Sequence, residues 1–153
     1  MKTFQQARDV VDHTRDFHHQ LSNFYEKLKD ETERERVKML LDYLSRHEKH
    51  LEETLAQYED DVSEKILDAW FQYIPEEQDQ DISPDKLHVR PNMSVEEVIR
   101  IAMQLDDYLI KLYEGMVERA NFPQVREAFL NILEMEKQEQ HQVSKNVLSM
   151  RDI

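Results

Sequence analysis

Five ionisable residues stand where the apolar stripes of this sequence call for a hydrophobic side chain: His18, Glu48, Asp106, Glu136 and Glu139. Each falls in a gap of a 3-4 repeat. His18, with Thr14, interrupts Phe4, Ala7, Val11, Leu21, Tyr25 and Leu28; Glu48 lies between Leu44 and Leu51; Asp106 lies between Ala102 and Leu109; Glu136 and Glu139 lie between Ile132 and Val143. Carboxylates and an imidazole are ligands for hard metal ions, and the set suits iron, manganese or magnesium without choosing among them. Buried together without a counter-charge they are costly. An unpaired ion inside a protein loses several kcal/mol (about 3–5 on removing its partner), and like charges push each other's pKa upward. A bound cation, protonation or entering water would each relieve the layer. No lysine or arginine occupies the same stripe positions, so a metal ion is the most economical of the three. The competing reading is a wide apolar stripe that lets Glu48 turn to a helix seam and leaves His18 as an ordinary core histidine bonded to it.

The elements that would position these residues are four long helices. Their starts are marked by Thr3 with Gln6, Thr32 with Glu35, and Ser94 with Glu97, each spaced as a capping box, and by Pro123 at a first helical turn. Short links at Asp30–Glu33 and Asn121–Pro123 make two antiparallel hairpins, one over residues 3–59 and one over 94–150. Between them, 60–93 carries Pro75, Pro84 and Pro91 and a polar run from Glu76 to Asp81, and is long enough to cross from one end of a bundle to the other. A short fifth helix is expected over Val62–Ile74. Trp70, Phe71 and Tyr73 lie within it, either as a cap on the core or as a surface for a second copy of the chain. The prediction is a single all-α domain over 1–153, a four-helix bundle with one long crossover.

A shift of 88 positions superposes the hairpins without a gap: Val10 on Val98, Leu21 on Leu109, Tyr25-Glu26 on Tyr113-Glu114, Val37 on Val125 and Glu48-Lys49 on Glu136-Lys137. This reads as an internal duplication, with Glu48 equivalent to Glu136 and His18 to Asp106. Counting from the hairpin turns at about 1.5 Å per residue puts all four roughly 20–24 Å along their helices, in one layer near mid-bundle, with Glu139 a turn away.

Composition limits the partners. With 33 acidic and 20 basic residues the formal net charge is −13, so nucleic acid is not expected. The 153 residues include no cysteine, which removes disulfides, thiol chemistry and thiolate metal sites. No apolar run reaches the roughly 20 residues of a membrane span, and MKTFQQARDVV lacks the apolar core of a signal peptide, so a cytoplasmic protein is expected. His13, His19, His88 and His141 are scattered and expected to be solvated.

Segments such as AMQLDDYLIKLYEGMVERANFPQVREAFLNILEMEK resemble the second half of the ferritin-like fold, within it the rubrerythrin-like proteins, and the resemblance covers both hairpins. That family carries a di-iron centre with a Glu from each of helices one and three and a Glu-x-x-His from each of helices two and four. The resemblance implies His18 and Asp106 in the first two places, Glu48 followed by Leu51 on helix two, and Glu136 followed by Glu139 on helix four. Neither Glu-x-x-His is intact; a slipped register would offer His47-x-x-His50 instead. One metal position would see Asp106, Glu48, Glu136 and Glu139, and the other only His18 and the bridging glutamates. The expected function is therefore a metal-binding bundle with a degenerate site, holding at most one iron or manganese firmly and working poorly as a catalyst. The alternatives are a rubrerythrin-like peroxidase or ferroxidase with two metals and unusual ligands, and a metal-free oligomeric binding module. A homodimer through Trp70, Phe71 and Tyr73 is expected.

Overall fold

A computed structural model describes residues 4–73 and 92–151. Within them the chain forms β1 (Phe4–Gln6), α1 (Ala7–Glu31), α2 (Glu35–Asp61), α3 (Glu64–Leu67), β2 (Trp70–Tyr73), α4 (Val95–Arg119) and α5 (Pro123–Arg151). Four long helices dominate, as their periodicity requires. Helix α1 packs chiefly on α2, and α4 on α5. The first of these seams closes tightly on two small residues. Ser22 Oγ donates to the Ser45 carbonyl at 3.1 Å and Ser45 Oγ to the Ser22 carbonyl at 3.0 Å, so the hydroxyls that a close approach buries are all paired.

The chain crosses the length of the bundle between the hairpins. At one end, the Ala7 amide donates to the Ala69 carbonyl at 2.9 Å. At the other, the Glu33 amide donates to Asn92 Oδ1 at 3.3 Å. Helix α1 lies between those ends and is about 37 Å long at 1.5 Å per residue. Asn92 sits at φ 62°, a left-handed turn that asparagine tolerates, and delivers the chain to Ser94 at the start of α4. The crossover residues 74–91, with Pro75, Pro84, Pro91, the run from Glu76 to Asp81 and His88, lie outside the described residues.

Several expected boundaries move. The Ser94–Glu97 capping box forms as read, and α5 begins on Pro123. Helix α1 starts later than a Thr3 cap implies: its first turn is closed by the Gln6 amide donating to Asp9 Oδ2 at 3.0 Å, while Phe4–Gln6 is a strand and Thr3 lies outside the described residues. Thr32 does not cap α2; its hydroxyl accepts from the Arg34 amide at 3.3 Å and shapes the turn between the helices. The fifth helix is a single turn, because Trp70–Tyr73 pairs antiparallel with Phe4–Gln6. A run rich in aromatic residues suits a strand once a partner strand is at hand, and local propensity cannot report that partner. Arg8 fastens this segment to α1 by reaching both Glu64 and Asp68 at 2.7 Å.

The aromatic group in this segment divides. Phe71 is buried and meets Phe129 edge to face, with ring centroids 5.6 Å apart, so it belongs to the core rather than to a surface. Trp70 is 65% exposed. The Tyr73 side chain lies outside what the structure describes.

Candidate metal centre

His18, Glu48 and Glu136 come from α1, α2 and α5 and meet near mid-bundle, fully enclosed. Each arrives there because its stripe neighbours bury the same helix face: Leu21 and Tyr25 beyond His18, Leu44 and Leu51 around Glu48, Ile132 and Leu133 before Glu136. His18 Nδ1 lies 2.6 Å from Glu48 Oε2, and His18 Nε2 lies 3.0 Å from Glu136 Oε1. The imidazole therefore spans the two carboxylates that the internal repeat makes equivalent.

That geometry fixes the charge. A neutral imidazole has one donor and one acceptor nitrogen, whereas an ionised carboxylate only accepts. Both nitrogens face carboxylate oxygens, so with both acids ionised both nitrogens carry hydrogen. Burial acts to lower the His18 pKa, but the charges of Glu136 and Glu48 and their hydrogen bonds outweigh it and hold it well above the usual histidine range. The two acids favour the imidazolium form of His18. A counter-charge that no lysine or arginine supplies can thus come from His18 itself; the sequence reading foresaw its bond to Glu48 but not the second one to Glu136.

Asp106 stands at the edge of this layer, partly buried on α4. Its pKa is raised well above the usual carboxylate range, first by desolvation and then by the charges of Glu48 and Glu136, with His18 opposing. One imidazolium does not neutralise three carboxylates, and Asp106 registers the surplus. Glu139 follows Glu136 by one turn of α5. It turns to the α2–α5 seam, where its Oε2 lies 3.6 Å from His47 Nδ1, beyond hydrogen-bond length. Burial lowers the His47 pKa despite the nearby acids, and Tyr43 stacks on its ring. The slipped register is not used: Glu48 and Leu51 are buried, while His50 is exposed along an open groove with Glu53, Gln57 and Asp61. Of the scattered histidines, His19 and His141 are exposed, but His13 is half-buried and meets the Tyr108 hydroxyl at 3.1 Å.

Two phenols flank the layer, Tyr25 on α1 and Tyr113 on α4, both without exposed surface to speak of. Burial and the neighbouring acids raise the pKa of each, Glu48 and Asp106 acting on Tyr25 and Glu136 on Tyr113. Their equivalence was legible in the repeat, but a tyrosine in an apolar stripe reads as core.

A histidine ligand needs a free lone pair on one nitrogen, and both nitrogens of His18 are engaged by acids. Leu51 offers no donor three residues after Glu48, and Glu139 faces another seam. Among the described residues no three His, Asp or Glu side chains converge as a preformed cage.

Against known proteins, no family model matches the chain, and no curated protein sequence matches it. Among solved structures it is similar to a protein from Thermotoga maritima described as ferritin-like and diiron-carboxylate, with TM-score 0.63 and 16% identity over 95% of this chain and 96% of the other. The chain has the ferritin-like fold. The ferritin-like bundle accounts for the long crossover and for the convergence of α1, α2, α4 and α5 on one polar layer; at this identity the likeness speaks for the fold alone. Among the described residues no helix is long and apolar enough to cross a membrane.

Proposed function

We propose that the chain is a ferritin-like metal-binding bundle of reduced capacity, taking one hard divalent cation at its mid-bundle layer and working poorly, if at all, as a di-metal catalyst. The double engagement of His18 carries this reading. An imidazolium supplies one positive charge and two N–H donors to the carboxylates that, in a di-iron relative, two metals would share. The residual negative charge lies between Asp106, Glu48 and Glu136, and a single iron or manganese ion would be held there by those oxygens. Once bound, the ion supplies charge neutralisation; His18 keeps Glu48 and Glu136 oriented, and Leu51 keeps that side of the layer apolar. Glu139 would join only by leaving His47.

The same observation supports a second reading, a metal-free bundle in which His18 and a proton on Asp106 complete the neutralisation. Metal analysis of protein purified without added metal, followed by titration with Mn2+ and Fe2+, separates the two. The expected result is saturation at no more than one ion per chain, lost in Glu136→Ala, with peroxide turnover well below about 1 s⁻¹. No binding of either ion selects the metal-free bundle. Two irons per chain with turnover of about 1 s⁻¹ or faster overturns both readings and restores the peroxidase or ferroxidase alternative.

A further inference from the structure

We infer that Ser22 and Ser45 are positioning residues for the mid-bundle layer: their clasp holds α1 and α2 close enough for His18 to bond Glu48 directly, and so withholds His18 Nδ1 from a metal ion. The clasp stands on the geometry of the first hairpin; its consequence for a metal rests on the cation-binding reading proposed above.

The two contacts are adjacent rungs of one seam. Ser22 follows His18 by four residues on α1, and Ser45 precedes Glu48 by three on α2, so each pair shares a helix face. Both serines are buried, and each hydroxyl crosses the seam to the carbonyl of the other, at 3.1 and 3.0 Å. A side chain this short reaches the opposite main chain, in both directions, only where the two backbones run close. The spacing of packed helices, about 8–10 Å, is set by the side chains at the contact. One turn further along, His18 Nδ1 lies 2.6 Å from Glu48 Oε2, and both groups are enclosed. A nitrogen committed to that bond has no lone pair to offer an ion.

The internal repeat supplies the contrast. Its shift keeps the register of the two hairpins, since His19 with Glu52, 3.1 Å apart, recurs as Asp107 with Gln140, 3.0 Å apart. The same shift carries Ser22 to Ile110 and Ser45 to Leu133. Leu133 lies in the core and Ile110 packs against it. With these bulkier residues at the equivalent rung, the backbones of α4 and α5 run less closely than those of α1 and α2. Register is common to both hairpins; the serine pair belongs to the first alone.

The test compares Ser22→Ala with Ser45→Ala, which keeps the rung small, against Ser22→Ile with Ser45→Leu, which imports the residues of the second hairpin. The proton shared between His18 and Glu48 resonates far downfield, as in any bond so short, and nitrogen-15 labelling assigns it. The expected result is a signal kept in the alanine pair and lost or moved upfield in the Ile–Leu pair; Ser45→Val alone serves if that pair does not fold. A signal unchanged by the larger residues overturns the inference, as does one lost already in the alanine pair, because size would then not be what positions His18. Pulsed electron paramagnetic resonance with Mn2+ tests the consequence. No histidine nitrogen should couple to the ion in the unmodified protein, and one should appear once the clasp is opened; coupling in the unmodified protein overturns it. If the unmodified protein binds no Mn2+, the cation-binding reading falls, and the downfield proton alone decides the clasp.

Discussion

Replacing His18 by alanine tests the charge assignment of the layer directly. Glu48 and Glu136 are almost wholly enclosed, with side-chain exposures of 3% and 6%, and His18 is the cation that both touch. Removing one partner of a buried ion pair leaves an uncompensated charge and costs about 3–5 kcal/mol. Against a total stability of roughly 5–15 kcal/mol for a domain, the variant should lose a large share of its resistance to urea while keeping its helical signal in far-ultraviolet circular dichroism. A triple change of His18→Leu, Glu48→Met and Glu136→Met removes the charges together and should return stability to within about 1 kcal/mol of the unmodified protein, or above it. In the single variant, a divalent ion at a hundred times its Kd should restore about 2.7 kcal/mol if it replaces the lost charge. Urea titrations in chelator, and again with Mn2+, measure all of this. A single-variant cost below about 1 kcal/mol would falsify the imidazolium assignment, since an ordinary surface contact loses that much.

Other outcomes follow from the same layer and from the aromatic segment. Because the folded chain holds the His18 proton that an unfolded histidine loses near 6.5, stability should be full below about pH 6.5 and fall as pH rises through the folded value. His47, shifted the other way, affects only the range below that, so the slope above about pH 6.5 should vanish in His18→Ala when urea midpoints are compared across pH. Leu51→His with Glu139→His should raise metal content from one ion toward two and increase ferrous-iron or peroxide turnover; unchanged stoichiometry by metal analysis would show that these two positions do not limit the site. Trp70, exposed on the strand pair, is proposed to lie in a contact between two copies of the chain, so Trp70→Ser should reduce the sedimentation mass to one chain with helicity intact, and an unmodified protein that already sediments as a monomer removes the proposal.

Much of the architecture was legible from periodicity, because a helix buries one face and its apolar spacing reports that face whatever it packs against. The two hairpins, the Ser94–Glu97 box, Pro123 at the head of α5 and the burial of Glu48 rather than His47 in the core register all follow from local spacing. So does the meeting of His18, Glu48 and Glu136, since equal distances from hairpin turns convert into equal heights along antiparallel helices. The strand pair was not legible: Trp70–Tyr73 becomes extended because Phe4–Gln6 lies alongside it, more than sixty residues earlier in the chain. Nor was the division of labour among the acids. A sequence places Glu139 one turn from Glu136, but only the packing of α5 on α2 brings it beside His47. Above all, the sequence left His18 open between a metal ligand and a core histidine bonded to Glu48, and the tertiary structure sets it between two carboxylates, Glu48 and Glu136. Spacing determines which helix face a side chain occupies; charge state depends on which atoms lie within about 3 Å of its nitrogens, and those are brought there by two other helices.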